Sequence, residues 1–225
     1  MTPPQDGYRQ RRFALPPDAT QIILVRHGAS EPVFPGQRHE LTPDGWGDPA
    51  LAPEGVEQAA AAARRLEREP IDAIFVTSLR RTVQTAAPTV QRTGIEPVVM
   101  PELTEVHLGE WEGGEYRVRV HEGDPIAMEV LLKERYDVIP GAERAEDFAA
   151  RVRAGVEQVV QHTGGGRTAA AFVHGGVIGE ICRLATDCRP FAFSFAENGS
   201  LTRLVVLGDG RWLLRGFNET THLDG

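Results

Sequence analysis

The 225 residues include only two cysteines, Cys182 and Cys188. Their spacing fits neither a zinc site nor a thioredoxin-type pair, so two reduced thiols in a cytoplasmic protein are expected. Long apolar runs are missing as well. None approaches the roughly 18 residues a membrane-spanning helix requires. The polar, proline-rich start, "MTPPQDGYRQRRFALPPDATQ", holds no apolar stretch of signal-peptide length. Basic excess is also absent, because the formal net charge is −8 at pH 7. Non-specific nucleic-acid binding and adsorption to anionic membranes both reward basic surfaces, so neither partner is expected. An anionic ligand would need a local basic pocket in an acidic protein.

What is present suits a soluble globular chain. Hydrophobic residues make up 41% and charged residues 25%, enough for a full core. The length fits one sizeable domain, assigned here to residues 20–225. Residues 1–19 read as a poorly ordered arm whose Arg9, Arg11 and Arg12 form a solvated tail. Ile22 to Val25 is a short β-branched run, the pattern of a strand buried on both faces. The loop over 31–53 carries two similar phrases, "LTPDG" and "LAPEG". Only the second precedes helical sequence, so Pro53 is expected to open a helix with Val56, Ala59, Ala63 and Leu66 on one face. Strands follow at 71–77, 97–100 and 168–173. A helix over 78–94 is closed by Gly94, and Pro88 should kink it or end its regular part. Residues 102–140 read as irregular. An amphipathic helix then buries Phe148, Val152, Val156 and Val159, and another helix starts behind His174. The segments "LTRLVVL" and "RWLLRGF" read as a closing strand pair around "GDG". This alternation predicts an α/β fold, a three-layer α/β/α sandwich with a largely parallel central sheet. Ligands in such sheets bind at the carboxyl ends of the strands.

Four segments deliver polar groups to strand ends: "RHG" (26–28), "TSLRRTVQTA" (77–86), "ELTEVHLGEWEG" (102–113) and "VHGG" (173–176). Arginines recognise phosphate through planar, bidentate hydrogen bonds. A neutral histidine can act as a nucleophile, and a carboxylic acid can protonate a departing alkoxide. Glycine after each histidine lets backbone approach a ligand, and free N–H groups at the following turns would suit an anion. The set matches phosphoryl transfer through a phosphohistidine.

These segments, together with "DPALAPEG", "FVHGGVI" and the terminal "FNETTHL", resemble the histidine phosphatase superfamily, also called phosphoglycerate-mutase-like, from about residue 20 to the end. The resemblance implies a metal-independent phosphomonoester hydrolase with no cofactor, acting on a small phosphorylated metabolite. His27 would be the nucleophile, and Arg26 and Arg81 would hold the phosphoryl group. His174 would complete the pocket as its second histidine. Glu105 would be the proton donor and later the base for water. Choosing it over Glu102, Glu110 and Glu112 rests on the family register. Gly28 would leave room for the phosphate and for a carbonyl that fixes the His27 tautomer. Counting back from "TA" selects Arg81 over Arg80, which should lie at the surface. His107 is a candidate for the site rim. A homodimer is compatible with the sequence.

The chain departs from the family pattern at Val33, where many members carry an asparagine that contacts phosphate. Ser30 falls where Ser or Thr is common and would supply part of that hydrogen bonding. Mutases typically read "LNERHYG" where this chain reads "LTEVHLG", so Leu108 replaces a tyrosine that would face substrate. "GEWEGG" resembles the phosphatase branch, and the segment between Glu105 and His174 reads as shorter than in mutases, leaving less covering structure. Water is therefore the expected acceptor, with a mutase or a silent phospho-ligand-binding domain as alternatives. Arg117, Arg119, Lys133 and Arg135 lie in this variable segment as candidates for gripping substrate anions.

Overall fold

A computed structural model of the chain describes residue 10 and residues 12–224. Six strands form one sheet: β1 (Thr20–Arg26), β2 (Ile71–Val76), β3 (Pro97–Val99), β4 (Thr168–Val173), β5 (Leu201–Val206) and β6 (Trp212–Glu219). Their order is β3-β2-β4-β1-β5-β6. The β1/β4, β2/β4 and β2/β3 pairs are parallel. β5 and β6 add an antiparallel edge beside β1, as the closing pair predicts.

Side-chain alternation along the strands builds two separate cores. Ile23 and Val25 of β1 point with Ala170 and Phe172 toward helices α1 (Pro53–Leu66) and α2 (Arg80–Thr93). Ile22 and Leu24 point the other way with Ala169 and Ala171. They meet α5 (Ala145–Thr163) and α6 (Gly175–Thr186). The three layers are thereby those expected from the alternation of strands and helices. Phe148, Val152, Val156 and Val159 of α5 are all buried.

Three local readings need correction. Val56 is exposed, because the buried stripe of α1 runs through Gly55, Ala59, Ala62 and Leu66, and Val56 sits one residue off it. Pro88 lies inside α2 without ending it, and the helix continues to Thr93 before Gly94 closes it in a left-handed cap. The segment 102–140 is not irregular. It holds α3 (Glu115–Glu122), α4 (Pro125–Lys133) and short 3-10 turns. α3 buries no residue, so it offers no apolar period to read. The start of α4 did carry a signal: Asp124 caps it by accepting from the Ile126 N–H at 2.8 Å, with Pro125 in the first turn. Trp111, Ala127, Val130 and Ile139 give this segment a small core of its own.

Of the arm, residues 1–9 and 11 lie outside the described residues. Its far end is docked. Phe13 stacks under the Arg215 guanidinium at 3.9 Å, and the buried Ala19 accepts a hydrogen bond from Gly166. Among the described residues no helix is long and apolar enough to cross a membrane. Both cysteines are free, and burial pushes the Cys182 thiol up to about 12.

The contact between Gly28 and Gly55 sets how α1 seats on the end of β1. A Cβ on Gly55 would stand 2.0 Å from the Ala29 carbonyl oxygen, and one on Gly28 would stand 2.3 Å from the Gly55 oxygen. Backbone blocks both positions, so no rotamer change relieves the overlap. Gly55→Ala is therefore expected to lower the unfolding free energy by about 1–3 kcal/mol, measured as a shifted urea midpoint with unchanged slope.

Candidate active site

β1 and β4 pair in register, with Arg26 opposite Val173, so the residues that follow them, His27 and His174, leave the sheet side by side. Their rings meet edge to face, with centroids 5.2 Å apart. His27 is buried, and its Nδ1 lies 2.8 Å from the Gly28 carbonyl oxygen. A carbonyl can only accept, so this contact puts the proton on Nδ1 and leaves Nε2 with its lone pair. Arg81 Nε donates to that Nε2 at 3.3 Å, and its Nη1 donates to the Gly47 carbonyl. Arg26 donates to the Ala196 carbonyl. His174 is fully buried, with Nε2 3.0 Å from Thr77 Oγ1. His174 Nδ1 and Arg26 Nε are both buried with no partner among the described residues. Unpaired buried polar atoms are costly, and an oxygen-rich anion would satisfy such a pair.

Glu105 stands in the same cavity, fixed at both ends. Its Oε2 accepts from the Gly176 N–H at 3.1 Å, in the first turn of α6. There the helix dipole favours an anion. Its own backbone carbonyl accepts from Trp46 Nε1 and from Arg151. A Cβ at residue 176 would lie 2.4 Å from Glu105 Oε1, so any larger residue there would displace this carboxylate.

Electrostatics follow from burial and crowding. Burial, then Arg81 and Arg26, hold the His27 imidazole well below its usual range, against the opposing pull of the Gly28 carbonyl. His174 is lowered by burial, then Arg81, His27 and Arg26. Both rings are thus neutral at pH 7. Burial brings the Arg81 guanidinium down to about 10 despite Glu105 and Asp48. Arg26 is lowered by burial against Glu105.

The structure thus brings together Arg26, His27, Arg81, Glu105 and His174. Other expectations shift. Gly28 is also needed against Gly55, at the start of α1, and its own carbonyl is the one beside His27 Nδ1. Its N–H and that of Ala29 are not free; they donate to Thr85 Oγ1 and Gln58 Oε1. His107 is not among the cavity-lining residues. Its Nδ1 accepts from the Gly109 N–H and its ring packs edge-on against Trp46. Arg80 is exposed and bound to Asp48, as expected. Ser30 Oγ accepts from Arg117 at 2.7 Å. Val33 packs toward Gly114 and is not among the residues lining the main cavity.

Of the four basic residues in the variable segment, only Arg117 joins the site without a carboxylate partner among the described residues. Its side chain is exposed on one side; desolvation on the cavity side lowers it, and the neighbouring Arg26 lowers it further. Arg119 pairs with Glu115 and Asp124, Lys133 with Glu129, and Arg135 with Asp137. Tyr116 and Arg117 of α3 and Leu131 and Lys133 of α4 line the cavity, so this segment does contribute cover. Sequence reasoning missed Thr77, Thr85, Gln58 and Asn198. Thr77, Thr85 and Gln58 position the site as described above, and Asn198 donates to the His27 carbonyl at 2.8 Å. Thr77 and Thr85 stand within "TSLRRTVQTA", where buried threonines were the available signal.

The family model of the histidine phosphatase superfamily (branch 1) matches residues 22–220. Glucosyl-3-phosphoglycerate phosphatase of Mycobacterium tuberculosis is 31% identical over 72% of this chain and 74% of that protein. A probable phosphoglycerate mutase of Photorhabdus laumondii is 29% identical over 91% of this chain and 95% of its own length. The solved structure of a mycobacterial glucosyl-3-phosphoglycerate phosphatase superposes with a TM-score of 0.72. It covers 89% of this chain and 99% of that one at 28% identity.

The two neutral histidines make stability pH-dependent. Unfolding returns each ring to an ordinary value near 6.5. The unfolded chain then binds more protons below that pH. Stability is full above about pH 6.5 and falls below it, by up to about 1.4 kcal/mol per pH unit for each ring. Urea unfolding at pH 5 and pH 7 should show this decline, and His27→Gln should make it shallower. An identical slope in the variant would contradict a neutral His27.

Proposed function

Because the chain belongs to the histidine phosphatase superfamily (branch 1), we propose that it is a metal-independent phosphomonoester hydrolase working through a phosphohistidine. The observation that carries this reading is the fixed tautomer of His27, with Nε2 facing Arg81 beside the unpaired Arg26 Nε and His174 Nδ1. Nε2 attacks phosphorus as the ester P–O bond breaks. Binding of the anionic ester beside it favours the acid form of Glu105, which gives its proton to the departing oxygen, and this leaves as an alcohol. Water then attacks the phosphohistidine and passes a proton to the Glu105 carboxylate. The P–N bond breaks, and phosphate leaves with His27 neutral again. The loose transition state concentrates charge on the equatorial oxygens, where Arg26, Arg81 and His174 supply donors with no metal required.

Arg117 adds a third guanidinium to this cluster, positioned by Ser30. It takes the place of the contact that Val33 lacks. A cytoplasmic setting belongs to the same reading, supported by two unpaired cysteines. A mutase reading draws on the similarity to the Photorhabdus laumondii relative over nearly its whole length.

Turnover of p-nitrophenyl phosphate and a phosphometabolite panel in EDTA tests the proposal. His27→Ala should lose turnover and the acid-labile phosphoenzyme. Efficient 3- to 2-phosphoglycerate interconversion would favour the mutase. Glu105→Gln should cost about 10²–10⁴-fold on alkyl esters and much less on p-nitrophenyl phosphate, whose leaving group departs without a proton. An equal loss on both would remove Glu105 as the acid. Arg117→Ala should lower kcat/KM by about 10- to 100-fold, the value of a charged hydrogen bond, and Ser30→Ala should cost less. A wild-type kcat/KM in Arg117→Ala would place that residue outside the phosphate contacts.

A further inference from the structure

Five non-glycine residues have positive φ among the described residues. Glu134 and Asp187 close α4 and α6, and Asn218 is of a type that tolerates this conformation. The remaining two are phenylalanines, Phe191 (φ 58°) and Phe195 (φ 65°), on the loop that follows α6. A bulky residue there is a true outlier, and such strain collects at binding sites. Both line the active-site cavity, which has a volume of about 950 Å³. Phe195 directly precedes the Ala196 carbonyl that holds Arg26, yet is 81% exposed. Phe191 packs against the Tyr136 ring at 4.9 Å, and Arg189 pairs with Glu134, so the loop is tied to the covering segment.

The charge pattern points the same way. Arg26, Arg81 and Arg117, around His27, lack carboxylate partners among the described residues. Farther out, Lys133, Arg135 and Arg183 are each paired with an acid, and Arg153 lies over the Trp212 ring. One dianionic group is thus provided for, beside His27, and the outer cavity is largely self-neutralised.

We propose that Phe195 and Phe191 form a leaving-group subsite that selects phosphomonoesters of uncharged, ring-bearing alcohols over those of small hydroxy acids. This rests on the reading of the His27 cluster as a phosphate site. Rings stack on exposed aromatic faces, and a carboxylate on the leaving group would meet outer cations that are mostly held by acids already, Lys133, Arg135, Arg183 and the loop's own Arg189.

Calorimetric binding of non-hydrolysable phosphonates tests the subsite independently of turnover. Benzylphosphonate should bind about tenfold or more tightly than ethylphosphonate, and 4-carboxybenzylphosphonate should bind no better than benzylphosphonate. In Phe195→Ala the benzyl-to-ethyl ratio should fall toward one. In Leu132→Ala, which alters an equally exposed side chain that does not line the cavity, it should stay. Equal affinities in the wild type, a preference for the carboxylated ring, or a ratio unmoved by Phe195→Ala would each overturn the subsite alone. Failure of ethylphosphonate and inorganic phosphate to bind at all would fell the phosphate-site reading, and the subsite with it.

Discussion

The site rests on the parallel, in-register pairing of β1 with β4. That ladder sets Arg26 against Val173, so both chains leave the sheet at one level and deliver His27 and His174 as edge-to-face neighbours. A slip of one residue would turn Ile22 and Leu24 toward α1 and α2 and would reverse both cores. The fully apolar, two-faced strands are therefore a requirement of the chemistry as well as of stability. Once the two histidines are adjacent, the remaining groups arrive from the ends of neighbouring elements: Arg81 from the start of α2, Glu105 from the loop after β3.

Burial then shapes the electrostatics. Water is kept from both rings and from Arg81, and the nearest charges are cationic, so the imidazoles stay neutral. The same cations would be an expense in an empty core, since each disfavours the next. Glu105 offsets part of that repulsion, and a bound dianion would offset much of the rest. A cluster of this kind trades stability of the bare protein for affinity toward an anion.

Much of this was legible in the sequence. Apolar runs ending in "RHG" and "VHGG" located the strand ends, and the family register, counted back from "TA", separated Arg81 inside from Arg80 outside. The covering segment was not legible, because α3 buries nothing and α4 is short. Periodicity has little to register in either, and only the Asp124–Pro125 cap marked a start. The placement of Arg117 was hidden for the same reason. Glycines were legible as necessary, but only part of their purpose was. Gly28 also answers to Gly55, a residue 27 positions away, whereas Gly175 and Gly176 stand against the site residues Arg26 and Glu105.

The small core around Trp111, Val130 and Ile139 is joined to the core beneath α5 and α6 by Leu108 and Tyr136, which pack against both, and Phe191 packs onto it from the loop after α6. That loop also carries the Ala196 carbonyl that holds Arg26. The parts that would choose the substrate and the parts that would hold its phosphate are therefore mechanically continuous, so a change that reshapes one would be felt by the other.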